Sequence, residues 1–380
     1  MNVDNKRKKM NFIPYGKPCI DDDDIAAVAE VLRSDWLTTG PKVAEFEQAF
    51  AQYIGCQYAI AVSSGTAALE IAVASLNLGK GEVITTPMTF VATANALLYN
   101  DLIPVFVDID DTLNIDPSKI EEKITSRTKA IMAVDFAGQP CNYNVIKRIA
   151  QKHNLKIIDD AAHALGASIE GKKIGSIADI TAFSFHPVKN ITTGEGGMIT
   201  TNNKEWYDRC LMLRHHGIDR NDKSFGGEWA FNMKVLGRNY RLTDFQCALG
   251  ISQLKKLERY NKRRAEIADA YRKAFAEIKE LKLPTISQQS HAWHLFVIMC
   301  EHIDRNQLYT RLKQRNIGAN VHYIPVYKHE YYKNVKAQCP VAEEVGNKIL
   351  TLPLYPAMSN EEIEYVIKSV QESISGGKTK

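Results

Sequence analysis

Between about residue 45 and residue 250, short apolar runs alternate with stretches of helical periodicity, and this alternation constrains the fold more than any other feature of the chain. Strands separated one by one by helices pair in parallel, and the helices then cover both faces of the sheet. The strand candidates are Tyr58 to Val62, Val83 to Thr85, Ile131 to Asp135, Lys156 to Ile158, Ile180 to Phe185 and Gly197 to Thr201. Helices are predicted to start near Thr66, Thr89 and Asn144, and a much longer one follows Thr243, where Gln246 three residues on makes a capping box. That helix is predicted to run through Lys255, Arg263 and Tyr271, carrying the chain from a large unit at 13–250 into a second at 251–380. The second unit reads as α+β. It has a strand at His294 to Cys300, a helix near Arg305 to Arg315, a strand around Asn320 to Ile324, and a last helix capped by Ser359 with Glu362. Residues 1–12 are expected to be a disordered tail, whose basic run Lys6 to Lys9 is solvated.

A chain of 380 residues with 45% hydrophobic content can bury a sizeable core, which excludes a short binding module. The net charge is only +4 and the basic residues are spread out, so there is no footprint of a nucleic-acid binder. The seven cysteines never occur as CxxC, which argues against a disulfide framework or a metal cluster and for a reducing, cytoplasmic setting. No apolar run reaches the roughly 18 residues a membrane span needs, so no membrane partner is expected.

Three segments carry chemistry. Ala59 to Leu69 (AIAVSSGTAAL) is a strand, a small-residue turn and a helix; the turn reads either as a phosphate cradle of amides and hydroxyls or as a plain strand-to-helix turn with Ser64 as N-cap. In Ile157 to Gly166 (IIDDAAHALG) a carboxylate ends a buried strand, where α/β folds bind ligands. Asp160 there can hold a proton on a heterocyclic nitrogen, and it can equally cap a helix. Phe183 to Gly197 (FSFHPVKNITTGEGG) places an isolated lysine, Lys189, in a Pro- and Gly-flanked loop. Desolvating an ammonium lowers its pKa, which is what a Schiff-base lysine requires.

The motifs SSGTAAL, PMTFVATANA, DDAAHALG, SFHPVKNITTGEGG and GRNYRLTDFQCALG occur in this order, and together they resemble the DegT/DnrJ/EryC1/StrS family of sugar aminotransferases from Pro14 to about Ile374. The resemblance implies an α/β fold of the aspartate-aminotransferase type (fold type I), with a mixed seven-stranded sheet and a small C-terminal domain. It implies pyridoxal 5'-phosphate (PLP) as cofactor and a homodimer with shared active sites. By motif, Lys189 bonds to the cofactor's aldehyde and Asp160 pairs with its ring nitrogen. His163 approaches the ring oxygen, Ser64, Gly65, Thr66 and Ser184 bind the phosphate, and Phe90 stacks on the ring. Asn239, in GRNYRL, reaches the phosphate in the neighbouring subunit. Tyr15, Asp35, Trp36, Leu37, Thr38, His186, His322 and Tyr323 are implied to line the sugar-nucleotide site.

Within the family, DWLTTGPKV, SFHPVKNITTGEGG and NVHYIPVY look most like the UDP-sugar 4-aminotransferases of pseudaminic acid biosynthesis, with L-glutamate as donor. The other acceptors the family offers are the UDP-bacillosamine precursor, perosamine and 4-amino-4-deoxyarabinose types. Asn190 departs from the Val-Lys-Pro that such members often carry. A sugar dehydratase on the same fold replaces the lysine by histidine, and this chain retains Lys189.

Overall fold

Strands rich in Val, Ile and Ala and buried on both faces build the central sheet of the protein, in a computed structural model that describes residues 10–375 except 220, 221, 223, 225, 228, 288 and 289. The strands are β1 (Tyr58–Val62), β2 (Gly81–Thr85), β3 (Leu102–Phe106), β4 (Thr128–Val134), β5 (Lys156–Asp160), β6 (Ile180–Ser184) and β7 (Gly197–Thr201). Their order across the seven-stranded sheet is β1-β7-β6-β5-β4-β2-β3. Every pairing is parallel except those of β7, which runs antiparallel to both β1 and β6. The fold is thus of the mixed-sheet α/β type, with the seven strands that the resemblance implies. Sequence patterning misses β3, because Pro104 interrupts it; proline is tolerated at this sheet edge, where Ile103 is half exposed.

The helices are α1 (Asp22–Leu32), α2 (Pro41–Ile54), α3 (Gly65–Ser75), α4 (Val91–Leu98), α5 (Tyr143–His153), α6 (Lys204–Arg214), α7 (Asp244–Leu254), α8 (Leu257–Phe275), α9 (Arg305–Gln314), α10 (Pro340–Lys348) and α11 (Asn360–Ser375). On one face of the sheet Phe46 and Phe50 of α2 pack with Phe183, Phe185 and Met198. On the other, Leu69, Ile71 and Val73 of α3 pack with Ile60, Val62 and Ile199. A further core joins α8, α9 and α11 to the antiparallel strands β8 (Leu281–Lys282), β9 (Phe296–Cys300) and β10 (Ile349–Leu352). Ile13 is buried in this C-terminal core, and the Met10 carbonyl accepts from Asn316 Nδ2 at 2.9 Å. The Lys6 to Lys9 run and residues 376–380 lie outside the described residues.

Two local expectations are corrected. The long helix after Thr243 breaks at Lys255–Lys256 into α7 and α8, and Lys256 reaches from the break to Asp21 and, at 2.9 Å, to Asp24 of α1. Asp24 is wholly buried and also accepts from Gln253 Nε2 at 2.7 Å, so the break brings a cation to a carboxylate that would otherwise be uncompensated. The segment Asn320 to Ile324 is not a strand. Only Asn320 pairs with β10, through Thr351, and the residues after it turn into the cavity described next.

Candidate active site

The C-terminal ends of β5 and β6 and the N-terminus of α3 open onto one cavity of about 830 Å³, at the strand ends where α/β sheets bind ligands. Its wall includes Ser64, Gly65, Thr66, Phe90, Asp160, His163, Ser184, His186 and Lys189, with Tyr15, His322 and Tyr323 arriving from elsewhere in the chain.

At one end lies the first turn of α3. Ser64 caps it, its Oγ accepting from Ala67 N at 3.0 Å. The amides of Gly65 and Thr66, which a helix start cannot satisfy internally, are left for an anion. The Ser184 hydroxyl faces them at close range: a Cβ on Gly65 would stand 2.7 Å from Ser184 Cβ and 2.8 Å from its Oγ. We expect Gly65→Ala to displace Ser184 and weaken PLP binding about 10–100-fold, as overpacking of about 1–3 kcal/mol would. Equilibrium dialysis against the cofactor measures this, and an unchanged affinity would refute the cradle.

Lys189 sits in a turn in which its own N–H donates to His186 O at 2.9 Å. The loop is rigid because Thr192 Oγ1 donates to Phe185 O at 2.9 Å, and Asn190 Nδ2 donates both to Asn261 Oδ1 at 2.7 Å and to Ala292 O at 2.8 Å. Asn190, the departure from Val-Lys-Pro, therefore anchors the lysine loop through its side chain, a bond proline could not make. Burial, reinforced by the nearby Arg264 charge and opposed by Asp160, pulls the Lys189 pKa down to about 8.

Asp160 is the last residue of β5. Its Oδ2 accepts from Thr93 Oγ1 at 2.7 Å and its Oδ1 from Ala162 N at 3.2 Å. Thr93 gives its one proton to the carboxylate, so Thr89, 2.7 Å away, donates to Thr93. Burial raises the Asp160 pKa, opposed by these two bonds and by the Lys189 charge. A protonated ring nitrogen would supply the counter-charge that this buried carboxylate calls for.

His163 is buried, and desolvation holds its pKa well below the ordinary histidine value. Its Nδ1 accepts from Ala137 N at 3.2 Å, so the proton of the neutral ring is on Nε2. That N–H points into the cavity toward Tyr323 Oη at 3.3 Å and is a donor suited to a phenolic oxygen. Phe90, the residue before α4, is 57% exposed on the cavity wall, its ring centroid 6.2 Å from that of Tyr323. His322 is fixed by Thr351 Oγ1 at 2.8 Å, and burial lowers its pKa to about 3. Amide cradle, buried carboxylate, imidazole donor, exposed aromatic ring and low-pKa lysine together fit PLP.

Other predicted residues lie outside this chain's cavity. Asn239 is exposed and pairs with His215, and Asp35, Trp36, Leu37 and Thr38 are exposed on the loop after α1. The two stretches are neighbours: Thr38 bridges to Thr243 and Leu37 O accepts from Asp244 N at 3.0 Å. Conversely, the structure brings in residues that the sequence did not single out, namely Thr89, Thr93, His294 and Arg264. The two threonines, one helical turn apart in PMTFVATANA, were the only local signal for any of them.

The DegT/DnrJ/EryC1/StrS aminotransferase family model matches residues 18–371. The spore coat polysaccharide biosynthesis protein SpsC of Bacillus subtilis is 43% identical, over 97% of this chain and 99% of its own. The structure of Helicobacter pylori PseC, an aminotransferase involved in the biosynthesis of pseudoaminic acid, superposes with a TM-score of 0.92 at 33% identity, covering 96% of this chain and all of its own (100%). The PLP-form of Spr1654 from Streptococcus pneumoniae superposes with a TM-score of 0.91 at 32% identity, over 97% of this chain and 100% of its own. On these matches this chain belongs to the DegT/DnrJ/EryC1/StrS aminotransferase family, as a PLP-dependent sugar aminotransferase.

Proposed function

We propose that the enzyme moves an amino group from L-glutamate to C4 of a UDP-linked 4-keto-6-deoxy-N-acetylhexosamine, converting UDP-2-acetamido-2,6-dideoxy-β-L-arabino-hex-4-ulose to UDP-4-amino-4,6-dideoxy-β-L-AltNAc, a step of pseudaminic acid biosynthesis. The observation that carries the chemistry is the placing of Lys189 and Asp160 in one cavity with an anion cradle. The acceptor is supported by the likeness to PseC over nearly the whole chain.

When bound, PLP would supply an electron sink for the amino donor's α-carbon. Lys189 would hold the cofactor's aldehyde carbon, and its neutral amine is the base placed to take the proton from the donor's α-carbon. Asp160 keeps the ring nitrogen protonated, and Thr93 keeps Asp160 oriented. Ser64, Gly65, Thr66 and Ser184 hold the phosphate, while Tyr15, His186, His322 and Tyr323 face the sugar.

Asn239, Asp35, Trp36, Leu37 and Thr38 act in this reading on the site of a second copy, in a homodimer. Trp36, Leu37, Phe231, Met233 and Leu236 are exposed large apolar side chains, of the kind that an interface covers. We further propose the division of the chain near residue 250 into a PLP unit and a small unit, and a cytoplasmic setting in which all seven cysteines stay free. Among the described residues no helix is long and apolar enough to cross a membrane.

A second reading has its own support. SpsC is the more similar in sequence, at 43% identity, and its name places it in polysaccharide biosynthesis, so a different nucleotide-linked keto sugar is the alternative acceptor. The test converts the holoenzyme to its amino form with L-glutamate and then offers UDP- and dTDP-linked 4-keto sugars singly, following return of the cofactor's original absorbance. Return with the UDP-N-acetyl sugar alone is the expected result; return only with another acceptor would replace the substrate, and no response to glutamate would remove the donor.

A further inference from the structure

We propose that Arg264 is a positioning residue for Lys189: it fastens the lysine's loop to the C-terminal unit and places a fixed positive charge behind it that keeps the amine neutral and nucleophilic. The proposal rests on the reading of Lys189 given above.

Arg264, on α8, is only 1% exposed and makes no ion pair with any described residue. Its partners are main-chain carbonyls: Nη1 donates to Leu354 O at 2.9 Å, His294 O at 3.3 Å and Trp293 O at 3.4 Å, and Nη2 approaches Lys189 O at 3.5 Å, the long limit of a hydrogen bond. Its Nε has no partner. A buried guanidinium without a carboxylate is costly, and an apolar side chain of similar volume would fill the space without that cost. Burial lowers its pKa only to about 10, so it remains charged at neutral pH.

The groups that face Lys189 come from every element around it. Asp160 at the end of β5 favours the ammonium form, and Arg264 from α8 opposes it. His163 after β5, His294 before β9 and His322 after Asn320 are held neutral by burial, and Tyr323 is held in its neutral form as well. Among the described residues Arg264 is therefore the fixed cation that offsets Asp160. The sign matters: below its midpoint Lys189 is protonated and cannot attack. With a midpoint of about 8, about a quarter of the amines are neutral at pH 7.5; at an ordinary lysine value only about one in a thousand would be.

The test titrates Lys189 in cofactor-free enzyme by competitive acetylation with trace acetic anhydride across pH, quantifying the Lys189 peptide by mass spectrometry. The parent midpoint should fall near 8. In Arg264→Gln, which keeps a donor for the carbonyls but loses the charge, the midpoint should rise by at least about one pH unit, which a unit charge even about 12 Å away contributes at an effective dielectric of about 20. Arg264→Met tests the same loss of charge with packing retained, and whichever neutral variant folds by circular dichroism decides. Arg264→Lys should stay near the parent. An unshifted midpoint in the neutral variant, or an equal rise in Arg264→Lys, would overturn the proposal, whereas a role confined to folding would lower the melting temperature and leave the midpoint in place. The readout needs no turnover, so its failure is distinguishable from failure of the aminotransferase reading.

Discussion

Lys189→Ala is expected to lower transamination by at least about 10⁴-fold, because in the proposed mechanism one side chain supplies both the bond to the cofactor and the base that moves the α-proton. The fold should survive. The lysine is partly buried and desolvated, its loop is held by Asn190 and Thr192 rather than by its ammonium, and the anion cradle of α3 does not depend on it. The variant should therefore still retain the cofactor noncovalently while losing the pH-dependent absorbance that the covalent link produces. Single-turnover assays with L-glutamate measure the loss, and a rate near the parent's would sink the assignment of Lys189.

Asp160→Asn should reduce kcat/KM by about 10²–10⁴-fold, the range for removing one preorganised electrostatic partner or general acid–base group. The amide oxygen can still accept from Thr93, so the side chain stays oriented while the charge is removed; the longer bond from Ala162 N is lost, because Nδ2 cannot accept it. Two signs separate this effect from damage. Stability should be unchanged or higher, since a desolvated carboxylate has been removed. The Lys189 midpoint should fall below about 8, because Asp160 is the group that raises it. Lost rate beside a more neutral lysine would locate the defect at the cofactor ring; a rate within a few-fold of the parent would show that Asp160 has no part in the electron sink.

Much of this architecture was legible because the chemistry is unusual where it occurs. A lysine between Pro187 and Gly194 is an odd choice for structure, and paired aspartates end an apolar strand at the place where α/β sheets bind ligands. What was hidden depends on distant partners. Lys255 and Lys256 are both good helix formers, and nothing local says that Asp24 will end the helix there. β3 disappears behind Pro104, whose tolerance comes from its place at the sheet edge. Arg264 looks like any charged residue of an amphipathic helix until the carbonyls of Lys189, Trp293, His294 and Leu354 converge on it.

The antiparallel strand β7 also bears on how the protein is made. β1 joins the sheet only through β7, so the strand that leads into the anion cradle has no partner until the chain has been synthesised through Thr201. Ser64 O is pressed so closely onto Gly197 that a Cβ there would lie 2.4 Å from it, so the cradle takes its final shape against β7. Such long-range pairing makes folding slow. A ribosome-bound chain stopped short of β7 would have the residues of the anion cradle in sequence but not in place, so the cradle forms only once β7 has been made.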